Sequence, residues 1–288
     1  MTEWLDAVVQ GVLLGGLYAL FAIGLSITYG VMRLINIAHG DFLVLAAYLA
    51  LWPVTQLQLH PFVAILPVAA LMFCLGYAMQ RTILNRTMGP NVLAPLLATF
   101  GLSIILRNGL QQVVKSEPHS LQIGDLLTDS VPIGGGISVG LFPLIVFLAA
   151  IALTMLVSLL FSRTRVGVAL RATSDDAETA ELMGIRARHT YGIALAISFA
   201  LIAVGGIFAG IRTTFTPESG PDNLLYAFEA VVIGGMGSLW GTFAGAVILG
   251  VAQTMGAKIA LGLGVMAGHL VFLAVLFFRP TGLFARTL

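Results

Sequence analysis

Seven stretches of this chain run for about 20 residues or more without a single Asp, Glu, Lys or Arg: 7–32, 42–80, 87–106, 130–162, 189–211, 230–257 and 259–278. A helix needs about 20 predominantly apolar residues to cross the hydrocarbon of a bilayer. Only 9% of the 288 residues are charged and 58% are apolar, against about 25% charged in a soluble domain. So little polar surface cannot cover a water-soluble globule. A soluble enzyme, a nucleic-acid binder and a disordered chain are therefore excluded, and a lipid bilayer is the expected surrounding. The net charge of +1 gives no basic patch for nucleic acid.

The spacing predicts an all-α, polytopic transmembrane helix bundle of about eight spans with broken or re-entrant helices. The whole chain, 1–288, reads as one transmembrane domain. The 42–80 block is long enough for two spans with a turn near His60–Pro61. The 130–162 block holds Gly134-Gly135-Gly136 and then a span from about 141, and 226–257 is interrupted at Gly234-Gly235-Met236-Gly237. No basic n-region precedes the first span, which reads as a retained helix rather than a cleaved signal. Cys74, the single cysteine, excludes a disulfide framework and is expected as a small packed side chain. Glycines four apart (Gly11/Gly15, Gly206/Gly210, Gly237/Gly241/Gly245, Gly264/Gly268) place small residues on one helix face, where backbones approach closely.

Basic residues flank short connections at Arg81 and Arg86, at Arg163 to Arg188, and at Arg279 and Arg286. The positive-inside rule makes these cytoplasmic. The 116–140 and 213–225 loops carry acids and neither Lys nor Arg, so they face outside. The N-terminus then lies outside and the C-terminus inside, provided that 226–257 begins and ends outside as a hairpin or two short spans.

The longest polar loop, 163–190, contains a helix with punctuation at both ends. Thr173 or Ser174 can cap it, Asp175, Asp176 and Glu178 stand in its first turn, and Gly184 can end it. Ala177, Ala180, Leu182 and Met183 give it an apolar side. A helix this short is marginal alone, so it docks either on its own bundle or in a groove of a partner.

Polar residues at membrane depth are expensive unless paired or facing water. Asn36, His39 and Asp41 lie between the first two spans around Gly40. They form either a cytoplasmic turn at the membrane surface with Asp41 capping the second helix, or a re-entrant element at the cytoplasmic side of a pathway. Thr99, Ser103 and Arg107 follow at i, i+4 and i+8. They make a polar stripe that either hydrogen-bonds between helices or lines a path able to hold a carboxylate, with Arg107 otherwise snorkelling outward. Glu229 is open to either an exposed or a pathway-facing place. The histidines have no metal-binding spacing, no catalytic constellation is present, and neither Lys115 nor Lys258 sits in a Walker A context. An enzyme is not expected, and the chain itself is expected to bind no metal and no cofactor.

Glu178-Thr179-Ala180, three residues and Gly184 resemble the EAA-x3-G coupling motif of ABC importer permeases, with Thr179 in place of the middle alanine. Gly15–Phe42, Gly167–Ile185, Gly234–Ala246 and Arg279–Phe284 together resemble the LivH-type permease of branched-chain amino acid ABC transporters, over nearly the whole chain. The resemblance implies a bacterial inner-membrane permease. It implies two nucleotide-binding ATPase subunits that use ATP and Mg, a second, LivM-like permease, and a periplasmic substrate-binding protein. Asp175, Asp176, Glu178, Thr179, Ala180, Met183 and Gly184 would then couple to the ATPases. Similar permeases serve urea, amides, aromatic acids and sugars. A stand-alone transporter or channel is the alternative from another class.

Overall fold

A computed structural model describes residues 2–89, 93–134, 137–260 and 262–284; Arg286 and the Gly135-Gly136 pair lie outside them. The fold is a helical bundle. Helix α1 spans Thr2–Met32, α2 His39–Gln56 and α3 Pro61–Met79. Helix α3 continues through a π-helical turn, Gln80–Leu84, into a last turn α4, Asn85–Thr87. Helix α5 follows at Leu93–Val114 and α6 at Leu141–Arg163. Two short helices, α7 Arg165–Asp175 and α8 Ala177–Leu182, precede α9, Ala187–Arg212. Helices α10 Gly220–Gly234, α11 Leu239–Ile259 and α12 Leu263–Phe278 complete the bundle.

Six of these helices are long and apolar enough to cross a membrane, and α12 is a shorter apolar one. The expected turn at His60–Pro61 falls between α2 and α3, where the His60 imidazole accepts from the Phe62 N–H at 3.4 Å. The 226–257 region splits as expected. Gly235 and Gly237 take φ of +108° and +85°, a left-handed region open mainly to glycine, and Ser238 caps α11 through the Gly241 N–H at 3.2 Å. An element not anticipated is a small antiparallel hairpin, β1 Ser130–Gly134 with β2 Ile137–Gly140. It lies in a loop, where Val131 and Val139 pair.

Helices α1 and α9 form the centre: 72% of each span is buried, against 17% for α5. They run antiparallel, with Leu20 against Gly205 and Gly24 against Ser198. Helix α11 packs antiparallel on α1, where Gly11 meets Val251 and Thr254, Gly15 meets Val247, and Gly250 returns the contact. Gly206 and Gly210 seat α2 at Leu43 and Ala47, and Gly264 and Gly268 receive Gln253. The four-residue glycine spacing therefore builds helix packing, except that Gly237 belongs to the turn. Cys74 corrects the expectation of a packed thiol: it is exposed, because α3 is peripheral and turns Leu71, Phe73 and Leu75 outward.

The helix directions gather Arg33, Arg81, Arg86, Arg163, Arg165, Arg186, Arg188 and Arg279 at one end of the bundle. At the other end Lys258 pairs with Glu3 at 2.7 Å.

Candidate functional site

The chain between α1 and α2 re-enters the bundle. Arg33 takes φ of +52° and turns an extended segment inward. The His39 Nε2 then lies 2.7 Å from the Phe21 carbonyl of α1. Phe21 precedes Met32 by 11 residues, about 16 Å back along a helix at about 1.5 Å per residue. Helix α2 therefore starts deep in the bundle. Asp41 does not cap it: Ala38 is the cap residue and no side chain closes that end. Asn36 instead accepts from the Ala38 N–H at 3.1 Å.

The two candidate groups, far apart in sequence, meet here. The Thr99 hydroxyl of α5 accepts from the Ile37 N–H at 3.3 Å and donates to the Leu96 carbonyl at 2.9 Å. Arg107 lies 3.6 Å from the Asp41 carboxylate and donates to Ser103 at 3.3 Å. Arg107 does not snorkel outward, because its counter-charge lies inside. Asn36, His39 and Thr99 are wholly buried. The Asn36 Nδ2 and His39 Nδ1 have no hydrogen-bond partner among the described residues, a costly state for buried polar atoms. Helix α10 begins at the same place: Gly40 and Gly220 touch backbone to backbone, and Gly220 lies against Asp41. Two helix starts thus converge on the Asp41–Arg107 pair at depth. About three helical turns toward the arginine-rich end, Met32, Arg33, Met88, Pro95 and Tyr191 line a cavity of about 410 Å³.

The 163–190 loop differs from its expected form in one respect. The helix breaks at Asp176, giving α7 and α8, and Asp176 is the cap. Its carboxylate accepts from the Glu178 and Thr179 N–H groups at 3.0 and 3.1 Å and from the Thr179 hydroxyl at 2.6 Å. These bonds, the Thr179 hydroxyl foremost, hold its pKa below the ordinary carboxylate value. Thr173 and Ser174 are unavailable as caps: Thr173 donates to Ala169 within α7, and Ser174 donates to the Gly30 carbonyl of α1 at 2.6 Å. Asp175 ends α7, and Gly184, at φ of +86°, closes α8. Ala180 is buried, whereas Leu182 and Met183 are 84% and 80% exposed. The expected apolar side is therefore divided between the bundle and the outside.

Glu229 resolves to the interior. It is 1% exposed and bonds His269 of α12 at 2.5 Å. Sequence reading missed this pair, since 40 residues separate the partners and no local pattern links them. It missed equally the Tyr18–Gln253 bond at 2.6 Å and the Ser26–Thr242 bond at 2.9 Å, which tie α1 to α11. No group of metal-binding side chains occurs among the described residues.

Apolar helices crossing in alternate directions around a re-entrant polar element define a multi-pass membrane permease. Residues 7–279 match the family described as branched-chain amino acid transport system / permease component, and the chain belongs to it. It is 30% identical to the high-affinity branched-chain amino acid transport system permease protein BraD of Pseudomonas aeruginosa, over 99% of this chain and 96% of that one. It is 27% identical to LivH of Escherichia coli over 98% and 96%. Among solved structures it aligns with a chain of PsaBC from Streptococcus pneumoniae in complex with Fab, at 15% identity and a TM-score of 0.49, over 97% and 96% of the two chains. BraD and LivH are transport permeases rather than enzymes.

Proposed function

We infer that this permease imports branched-chain amino acids or related small polar solutes across the bacterial inner membrane as one subunit of an ABC importer. Its N-terminus lies outside and its C-terminus in the cytoplasm, a reading supported by the arginines gathered at one end. Two ATPase subunits dock on the 163–190 loop, a second, LivM-like permease completes the membrane part, and a periplasmic binding protein delivers the solute.

The observation that carries this reading is the exposed Leu182–Met183 pair on a capped helix at the arginine-rich end. Large apolar side chains held in water mark a protein contact. Asp175, Asp176, Glu178, Thr179, Ala180 and Gly184 shape the surface that presents them. ATP hydrolysis, with its Mg, belongs to the docked subunits. Closure of the ATPases would move α7 and α8, and with them α1, to which Ser174 is bonded. The solute path runs along Asn36, His39, Asp41, Thr99, Ser103 and Arg107, where unpartnered polar atoms and an ion pair meet two helix starts. A solute carboxylate would exchange with Asp41 for Arg107. Urea, amides, aromatic acids and sugars belong to the wider substrate class.

Affinity purification from the native membrane in mild detergent, followed by mass spectrometry, tests the assembly. Co-recovery of nucleotide-binding ATPases and a second permease is expected. Recovery of this chain alone, while a control ABC complex stays intact, would favour a stand-alone transporter or channel. Thermal-shift screening of the recovered binding protein would then name the solute.

A further inference from the structure

We propose that the groove between the cytoplasmic ends of α3 and α9 binds a phosphate oxyanion, supplied by the headgroup of an anionic membrane lipid. Arg81, Arg186, Arg188 and His189 line a groove of about 500 Å³, with Glu181 as its one acid. Among the described residues no carboxylate pairs with any of the three arginines. Like charges this close repel one another unless a counter-anion is present, and Arg188 and His189 stand in the first turn of α9, where the helix dipole adds to the positive potential.

The groove is a built one. Arg81 donates to the Tyr77 hydroxyl at 3.3 Å and lies 5.9 Å from the centre of that ring. The same hydroxyl lies 2.8 Å from His189 Nδ1, and the ring is seated on Gly192 of α9. A guanidinium and an imidazole are thus linked through one anchored phenol. Arginine matches phosphate oxygens with a planar fork of donors.

Free inorganic phosphate offers the same oxyanion, but the surroundings favour a lipid. The exposed stripe Leu71, Leu75, Ala78 of α3 runs along the bundle surface toward Arg81. That gives acyl chains an apolar track directly beneath the charged groove. Basic pockets between helices at the cytoplasmic side are suited to such headgroups. The groove also includes residues of the α8–α9 link, so an occupant would brace the helix that presents Leu182 and Met183.

The test uses the assembled transporter, delipidated and reconstituted into phosphatidylcholine with or without phosphatidylglycerol, with bound lipid counted by native mass spectrometry. The Arg81→Gln/Arg188→Gln double variant should retain phosphatidylglycerol about thirtyfold less well than the unaltered complex. Either single variant should lose about fivefold, which keeps the test decisive if the double variant folds poorly. Arg86→Gln, at the same end but outside the groove, should leave retention unchanged, and Arg81→Lys should restore most of it. Equal retention by all variants would overturn the proposal. So would protection by inorganic phosphate with no preference for phosphatidylglycerol, which makes the ligand a free ion. Loss of the ATPase subunits from the double variant with lipid retention intact would instead assign the groove to an acidic protein surface.

Discussion

Asp41 of α2 and Arg107 of α5 form an ion pair at 3.6 Å, with the carboxylate 3% and the guanidinium 32% exposed. The two residues belong to different spans, and they meet only because the segment after Arg33 turns back into the bundle. An ion pair at depth is a costly element to keep, and its removal on one side leaves a stranded charge. Arg107→Ala is expected to cut uptake by about twofold to a hundredfold, the ~0.5–3 kcal/mol of coupling between neighbouring residues. Asp41→Asn combined with Arg107→Gln should recover part of that loss. A double-mutant cycle on transport rates reads the coupling directly, with an interaction of ~0.5–3 kcal/mol expected for neighbours. Unchanged uptake kinetics in Arg107→Ala would remove the carboxylate role from this residue.

The exposed apolar pair on α8 makes a second prediction. Leu182→Ser and Met183→Ser should leave the fold within ~0.5 kcal/mol of the parent, because neither side chain is buried in the subunit. In the assembled complex each should weaken ATPase association by about tenfold to a hundredfold, at ~1.5–3 kcal/mol per apolar side chain taken out of water. Pull-down of the ATPases against a dilution series checks this. Undiminished association by both variants would place the contact elsewhere.

Helix α8 itself is held by a backbone bond and a cap. The Ala180 N–H donates to the Asp176 carbonyl at 3.0 Å, and proline at 180 would remove that donor and crowd the same carbonyl, at a cost of ~3 kcal/mol. Ala180→Pro should therefore insert into the membrane normally and fail in transport, as should a charge reversal at Glu178. Fluorescence-detected size exclusion reports insertion and solute uptake reports coupling. Normal uptake by Ala180→Pro would count heavily against α8 as the transmitting element.

The legible part of this architecture was the part written in local patterns. Charge-free blocks marked the spans, and Gly234 to Gly237 marked the break between α10 and α11. The depth of the 33–41 segment was only half legible, since a surface turn and a re-entrant element share the same residues. The choice is made by Thr99 and Phe21, which the local sequence does not mention. The cap of α8 failed for the same reason. Ser174 is as good a capping residue as Asp176, but a carbonyl of α1, 144 residues away, claims its hydroxyl. Glu229 and His269 share no local pattern because helix packing alone brings them together. Cys74 looked like core because α3 is uniformly apolar, and a peripheral span has the same composition as a central one.

The Asp176 cap has a defined pH response. Its hydrogen bonds hold the pKa of the folded form below the ordinary value of 3.8. A carboxylate lowered in this way stabilises α8 above the unfolded pKa, and the contribution is lost as pH falls through the folded one. ATPase association should therefore be insensitive to this group from neutral pH down to about pH 4 and decline only below it. Asp176→Asn, which keeps the capping oxygen without the charge, should remove that acid-side decline while keeping association at neutral pH. A decline between pH 5 and 7 that persists in Asp176→Asn would belong to another group.

The convergence of α2 and α10 rests on two glycines and is open to a steric test. A Cβ at Gly40 would run into the carbonyl of Gly220, which is backbone and cannot swing aside. Overpacking of this kind costs ~1–3 kcal/mol in a well-packed core, and the upper end applies where the obstacle is main chain. Gly40→Ala should therefore lower the thermal stability of the purified subunit and disturb the Asp41–Arg107 geometry, with uptake falling in parallel. Gly101 on α5 is the matched control: nothing lies within 4 Å of a Cβ placed there. Alanine is the better helix former by up to ~1 kcal/mol, so Gly101→Ala should hold or raise the melting temperature of the isolated subunit. The contrast separates close approach from helix propensity, because both positions receive the same methyl group. Equal melting temperatures for the two variants would mean that α2 and α10 do not start against one another, and the re-entrant site would lose its frame.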